Sequence, residues 1–229
     1  MTILALDTSG AACSVALRDQ AGRLLAHRFE ALQRGHAERL MPMLREAMEE
    51  AAVDFAGLAL IAVTTGPGSF TGIRVGLAAA RGLALASGLP ILGVTAFEAL
   101  AAAVPPAERH GRALLVAIDS RRGDFFIQSF AGDGSPLSAP EAVPAEELAA
   151  AVPAGDVLLA GDGAVRAATV LAAAGHAALL TSAAGPPDAA AVAAVALARW
   201  HPGERPMPPL PLYLRAPDVT LPAPRPAPR

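Results

Sequence analysis

The order of apolar segments in the first hundred residues constrains the fold more than any other feature of this chain. Three short apolar stretches at 2–7, 13–18 and 24–29 are joined by tight turns and predict an antiparallel β-meander. A helical pattern follows, and then a nearly continuous apolar run at 58–64, which is typical of a central strand buried on both faces. With a further helix, strand and helix up to residue 103, the predicted order is β-β-β-α-β-α-β-α.

The second half of the chain again places a pair of strands before its helices. Its predicted elements are strands at 114–119, 125–130 and 157–161, a loop from 132 to 144, and helices at 145–151, 163–174 and 188–200. We therefore predict a lobe at 1–104, a smaller lobe at 105–201 and a proline-rich tail at 202–229. The apolar stretch at 210–215 within that tail is expected to dock back on the body.

Composition excludes several classes of function. Hydrophobic residues make up 53% of the chain, but Gly, Pro or Arg interrupts every apolar run before the roughly 20 residues of a membrane span. The net charge is -3 and the arginines are scattered, so no basic stripe indicates direct nucleic-acid binding. A single cysteine, Cys13, cannot form an internal disulfide. We expect a cytoplasmic protein without a signal peptide or membrane contact.

The segment TTGPGSFTGIRVG at 64–76 is unusually rich in glycine. It is not a Walker A loop, because five residues separate Gly66 from Gly72 and the chain contains no lysine. One interpretation is a weak anion site at a helix N-terminus capped by Thr71. The other is close packing of the helix at 71–87, whose apolar and small residues occupy most directions around its axis. Its surplus apolar surface, with that of the helix at 36–52, predicts a partner interface. Mutual cover of the two helices and the sheet is the alternative.

Four stretches carry a resemblance to a known family. They are ILALDTSGAACSVAL, GHAERLMPML, VTTGPGSFTGIRVGLAAARGLA and GVTAFEALA, and together they resemble the TsaB family, also called YeaZ. The resemblance is dense over 2–100 and thinner beyond, where 118–126 and 211–215 are still similar. It implies an α/β, actin-like (sugar kinase/Hsp70/actin) fold of two lobes, each with a mixed β-sheet flanked by helices.

The resemblance also implies a function. TsaB is the non-catalytic dimerisation subunit that supports the TsaD-type catalytic paralogue in making N6-threonylcarbamoyladenosine at position 37 of tRNA. A TsaE-type ATPase binds the pair, and tRNA is reached only through the complex. The sequence leaves open whether the isolated chain is a monomer or a homodimer through the same helices, whose bare apolar face would be covered in a homodimer. Family members pair through helices that correspond to 38–52 and 71–87. The expected interface residues, with the glycines permitting tight packing, are Leu40, Met43, Leu44, Ala47, Met48, Ile73, Gly76, Ala79, Ala80 and Leu83.

The sequence lacks the metal-binding histidine pair of the catalytic paralogue. The catalytic paralogue holds its metal with histidines spaced i, i+4, but His36 is followed at that spacing by Leu40. We therefore expect no catalytic residue, no metal and no cofactor. A vestigial nucleotide or anion site is possible at Asp7, Ser9, Ser69 and Thr71, although turn capping explains Asp7 and Ser9 more simply. The alternative function is an actin-like phosphotransferase that uses Mg-ATP at Asp7.

Overall fold

The computed structural model describes residues 1–153 and 155–215, which form two five-stranded sheets. The first sheet contains β1 (Thr2–Asp7), β2 (Ala12–Asp19), β3 (Leu24–Ala31), β4 (Leu58–Thr64) and β5 (Ile91–Val94). The second contains β6 (Ala113–Asp119), β7 (Phe125–Phe130), β8 (Glu141–Val143), β9 (Val157–Ala160) and β10 (Ala178–Leu180). The helices are α1 (His36–Ala51), α2 (Phe70–Ser87), α3 (Ala96–Ala103), α4 (Pro106–Arg109), α5 (Leu148–Ala151), α6 (Ala164–Ala173) and α7 (Ala189–Arg199).

Both sheets are mixed and share a pattern of pairing. The strand order is β3-β2-β1-β4-β5 in the first sheet and β10-β9-β6-β7-β8 in the second. In each sheet a central strand pairs antiparallel with the next strand in sequence and parallel with a later strand: β1 with β2 and β4, and β6 with β7 and β9. The predicted meander and the prediction of two mixed sheets flanked by helices are confirmed. The strands β8 and β10 and the short α4 were not predicted.

The central strands of the first sheet are covered by helices on both faces. Alternate residues of these strands point to opposite sides and so pack against different helices. On one side, Leu4, Leu6 and Ile61 pack with the inward residues of α1 and α2. On the other side, small residues such as Ala5 and Ala62 pack against α7. This close cover explains why the strand at 58–64 reads as a continuous apolar run.

Two helices connect the halves of the molecule. Helix α7 belongs to the end of the chain but packs on the first sheet, while α3 buries Phe97 and Leu100 in a cluster with the second sheet. The strands of the two sheets fall on opposite sides of residue 104. The division into domains at 104 and 201 stays a prediction, and residues 216–229 of the predicted tail lie outside the described residues.

Two further points concern the helices. Pro42 lies inside α1, in its second turn, where its missing N–H costs one helical hydrogen bond. Across residues 1–153 and 155–215, no helix has the length and apolar character that a membrane crossing requires.

Candidate functional site

The glycine-rich segment forms the connection from β4 to α2. Gly66 and Gly68 have φ values of +106° and +153°, which glycine adopts readily, and the Gly66–Pro67 peptide is cis. Helix α2 begins at Phe70, and the Ser69 hydroxyl caps it by accepting a hydrogen bond from the Gly72 N–H at 3.2 Å. The predicted cap, Thr71, is wrong: this residue lies exposed in the first turn, one position past the start of the helix.

Two glycines of α2 serve contacts within the chain. A Cβ atom on Gly72 would lie 2.0 Å from the Thr8 carbonyl oxygen, and one on Gly76 would lie 2.7 Å from Thr8 Oγ1. The Thr8 hydroxyl also donates a hydrogen bond to the Gly72 carbonyl at 2.7 Å. These glycines therefore let α2 approach the turn after β1, and the prediction that they permit packing against a partner is corrected. At Gly82, an added Cβ would meet no atom within 4 Å.

The residues expected to form the partner interface lie mostly in the core. Those that are buried are Leu40, Met43, Leu44, Ala47, Met48, Ile73, Gly76 and Ala80, while Ala79 and Leu83 are partly buried. Their side chains cover the first sheet because both helices turn their most apolar sides towards it. A buried side chain cannot contact a partner, so the prediction that these eight residues form the interface is wrong. The role of the two helices in binding a partner stays a prediction.

A different set of side chains is exposed on the same helices. On α2, Ala78, Gly82 and Leu85 point outwards, and 88% of the Leu85 surface is exposed. On α1, Met41, which is 46% exposed, and Arg45 also point outwards. A groove of about 900 Å³ is lined by α1, the segment that follows it and Leu83 of α2. We call the five exposed residues Met41, Arg45, Ala78, Gly82 and Leu85 the outer helical face.

A second cavity, of about 660 Å³, lies between the two lobes. Its first-lobe wall contains Ser9, His36 and Ser69. Its second-lobe wall contains Asp119, Asp162 and the turn at 120–122, and residues 212–215 form a third side. We call this cavity the inter-lobe cleft. Of the four residues predicted for a vestigial nucleotide or anion site, Ser9 and Ser69 line this wall, whereas Thr71 and Asp7 do not.

Asp7 lies beneath this wall and is fully buried. Its Oδ1 accepts hydrogen bonds from the Ser9 hydroxyl at 2.7 Å and the Ser9 N–H at 3.3 Å. Burial raises the pKa of Asp7 to about 6, while the hydroxyls of Ser9 and nearby Thr64 oppose the rise. Thr64 Oγ1 does not reach hydrogen-bonding geometry, so Asp7 Oδ2 is buried without a partner among the described residues. The carboxyl group holds the turn and does not face the cleft.

The backbone groups of the glycine-rich loop are also used within the chain. The Ser69 N–H donates to the Ser9 carbonyl at 2.7 Å, and a Cβ on Gly68 would lie 2.2 Å from that same oxygen. The turn after β1 therefore occupies the place where an anion would have to approach the loop.

The two acidic side chains of the second-lobe wall, Asp119 and Asp162, have partners within the chain. Asp162 Oδ1 accepts a hydrogen bond from the Asp119 N–H at 3.0 Å, and its Oδ2 lies 3.1 Å from the Arg121 guanidinium. Burial raises the pKa of Asp162, whereas the Asp119 N–H and the Arg121 guanidinium lower it by a smaller amount. Asp119 in turn lies 3.4 Å from Arg166. Within the described ranges, no group of three or more His, Cys, Asp or Glu side chains is placed to hold a metal. The imidazole of His36 lies instead against the backbone, with Nε2 3.1 Å from the Gly10 carbonyl oxygen.

Sequence reasoning missed the aromatic contact at the cleft mouth. Phe70 and Tyr213 lie with ring centroids 5.2 Å apart, and the Arg74 guanidinium lies 3.9 Å over the Phe70 ring. Only the apolar character of 210–215 indicated that this part of the tail would dock.

Comparison with known proteins now identifies the family. Residues 29–154, more than half of the chain, match the family model described as "TsaD: tRNA N6-adenosine threonylcarbamoyltransferase". The solved structure of YeaZ from Pseudomonas aeruginosa superposes with a TM-score of 0.74 and 33% identity, covering 93% of this chain and 99% of YeaZ. The chain belongs to the TsaB/YeaZ family.

Two further similarities concern the length of the match and the fold. The TsaB protein of Escherichia coli, named as a tRNA threonylcarbamoyladenosine biosynthesis protein, is 38% identical over 133 residues, which cover 58% of this chain and 56% of that protein. The chain thus aligns with about half the length of the curated TsaB proteins it matches. Component A of the (R)-2-hydroxyglutaryl-CoA dehydratase of Acidaminococcus fermentans has a TM-score of 0.50 at 10% identity over 87% of this chain and 98% of that protein, which bears on the fold alone. The actin-like fold is confirmed.

Proposed function

We propose that this chain is a non-catalytic dimerisation subunit of the machinery that makes N6-threonylcarbamoyladenosine in tRNA. The observation that carries the proposal is the similarity to YeaZ over nearly the full length of both chains, combined with the name of the E. coli TsaB relative. In this proposal the chain binds a TsaD-type catalytic paralogue. A TsaE-type ATPase joins the pair, and tRNA is contacted only through the complex, in the cytoplasm.

The outer helical face is the surface through which we expect the paralogue to bind. Ala78 and Gly82 are small and exposed one helical turn apart, so another helix can approach α2 closely there. Met41 on α1 and Leu85 on α2 add exposed apolar area, and exposed apolar area on a surface is typical of an interaction site. The isolated chain is expected to form a homodimer through the same face.

The buried state of Asp7 supports a non-catalytic role. A phosphotransferase of this fold would need a carboxylate that reaches the metal and phosphates of Mg-ATP. Asp7 is 0% exposed, and its Oδ1 is engaged by Ser9. The alternative of an ATP-dependent phosphotransferase therefore requires an opening of the turn after β1. Calorimetric titration of the chain with millimolar Mg-ATP tests it, because saturable binding lost in Asp7→Ala would favour that alternative.

The partner surface is tested by co-purification with the cognate TsaD-type paralogue. Ala78→Arg and Gly82→Arg place a long charged side chain on the outer helical face without entering the core, since both residues are exposed. We expect each to abolish the complex that the wild-type chain forms. Ala172→Arg is the matched control, because Ala172 is an exposed alanine on α6 in the second lobe.

The outcomes separate the surface from the function. A complex that survives both substitutions would remove the outer helical face as the binding surface. The function itself is tested by reconstituting the tRNA modification with and without this chain. Equal modification in its absence would overturn the proposed role.

A further inference from the structure

Residues 209–215 cross from one lobe to the other. At the first lobe, the Leu212 N–H donates a hydrogen bond to the Thr65 carbonyl at 2.8 Å, directly after β4. At the second lobe, Leu214 packs against the apolar cluster that contains Phe126. We call residues 209–215 the strap.

The body of the protein is shaped to receive the strap. A Cβ on Gly93 would lie 2.7 Å from the Pro209 Cβ atom, and one on Gly66 would lie 2.9 Å from the Leu212 carbonyl oxygen. Pro209 is buried although the residues on both sides of it are exposed. A side chain at either glycine would displace the strap or its neighbours, so the docked position depends on features of the body as well as on the strap.

Side chains of α2 hold the strap along its length. The Arg81 guanidinium donates a hydrogen bond to the Pro209 carbonyl at 2.6 Å. Arg74 Nε donates to the Tyr213 hydroxyl at 3.2 Å, and the Tyr213 ring packs beside Phe70. Contacts with a charged donor are among the stronger hydrogen bonds, so these arginines stabilise the docked strap beyond its apolar packing.

The far end of the strap is anchored by charge. Arg215 lies 3.0 Å from Asp124 Oδ2 in the turn between β6 and β7. The strap residues from Leu212 to Arg215 also line the inter-lobe cleft. The strap therefore touches both lobes, and its last four residues form one side of the cavity between them.

We propose that the strap is a clasp between the lobes: when docked it holds the two sheets in one relative orientation and closes one side of the inter-lobe cleft, and when released it opens the cleft. The lobes also meet where α3 packs on the second sheet, and domains of one chain can rotate about such a contact. A segment that is attached to both lobes restricts this motion. Because the strap is a strand of neither sheet and is held by one backbone hydrogen bond and a few side-chain contacts, it can detach without unfolding either sheet.

The clasp is tested in the full-length chain by measuring the distance between the lobes. Spin labels are placed at Ala86→Cys on α2 and Ala172→Cys on α6, both exposed positions, and the labelled protein is diluted in unlabelled protein. Cys13 is fully buried, so the wild-type chain serves as the labelling blank. In the Tyr213→Ala/Leu214→Ser variant we expect a broader and shifted distance distribution than in the wild type.

Amide hydrogen exchange gives a second readout. Release of the strap is expected to speed exchange about tenfold in the segments at 67–69 and 120–122 that line the cleft, with the amides of β1 and β4 unchanged. Leu210→Ser is the matched control, because Leu210 lies in the strap but is 73% exposed. It should behave like the wild type in both measurements.

A folded Tyr213→Ala/Leu214→Ser variant with the wild-type distance distribution and wild-type exchange would overturn the clasp. If that variant does not fold, Leu212→Pro decides, since it removes the N–H that the Thr65 carbonyl accepts. A broadened distribution in Leu212→Pro supports the clasp, and an unchanged one overturns it.

Discussion

On its inward side α2 brings Gly72 and Gly76 against Thr8, whereas on its outward side it leaves Ala78 and Gly82 in the open. Both sides consist of small residues, but from the sequence Gly76, on the inward side, was expected at the partner interface, whereas Ala78 and Gly82 were not. The difference teaches that a small residue has two separate uses. On the inward side it removes a steric obstacle to the chain's own turn, and on the outward side it leaves room for another molecule.

Gly72→Ala is expected to give the largest effect on the inward side. The new Cβ would lie 2.0 Å from the Thr8 carbonyl oxygen, a backbone atom that cannot rotate away. We expect a loss of about 3 kcal/mol or more in the free energy of unfolding, measured by urea denaturation. A Gly72→Ala variant as stable as the wild type would show that α2 does not rest on this turn.

Asp7→Asn tests the turn beneath α2 through its pH dependence. The pKa of Asp7 is raised by burial from 3.8 to about 6, so the folded chain binds this proton more tightly than the unfolded chain. The wild type should therefore lose stability as the pH rises from about 4 to about 6, by about 3 kcal/mol in total. Asp7→Asn removes this titration, while its amide oxygen can still accept from Ser9. Chemical denaturation should show that the free energy of unfolding of the variant, relative to that of the wild type, is higher at pH 8 than at pH 4. The same pH dependence in both proteins would contradict the raised pKa.

Gly76→Ala should have a smaller effect than Gly72→Ala. Its Cβ would meet the Thr8 hydroxyl at 2.7 Å, and a side-chain oxygen can move more easily than the backbone. We expect a loss of about 1–2 kcal/mol in the free energy of unfolding. The Thr8→Ala background provides the control, because the penalty of Gly76→Ala should shrink when the opposing hydroxyl is removed. An unchanged penalty in that background would place the strain elsewhere.

Gly82→Ala is expected to give the smallest effect, with the opposite sign. Nothing lies within 4 Å of the added Cβ, and alanine is favoured over glycine in a helix by about 0.5–1 kcal/mol. Thermal and urea denaturation should therefore show a small gain in stability. A clear loss would mean that the outward side of α2 is packed against the rest of the chain.

Much of the architecture follows from local patterns in the chain. The three meander strands, the buried β4 and the boundaries of α1 and α2 were predicted within a few residues, because hydrophobic periodicity and glycine turns act over short distances. The three-residue strands β8 and β10 were missed, since so short a segment carries too little periodicity to be distinguished from a loop. The resemblance to the TsaB family supplied the actin-like fold before any contact was known.

By itself, the sequence determined the order of the longer elements and, through its resemblance to the TsaB family, the two mixed sheets. Only the tertiary structure decided which side of α2 faces inwards, because its small and apolar residues surround the axis and the choice depends on Thr8, more than sixty residues away. It also decided that α7 returns to the first sheet, that Asp7 is closed off from the cleft, and that the strap joins the lobes. Each of these features rests on contacts between distant parts of the chain, which a local pattern does not encode.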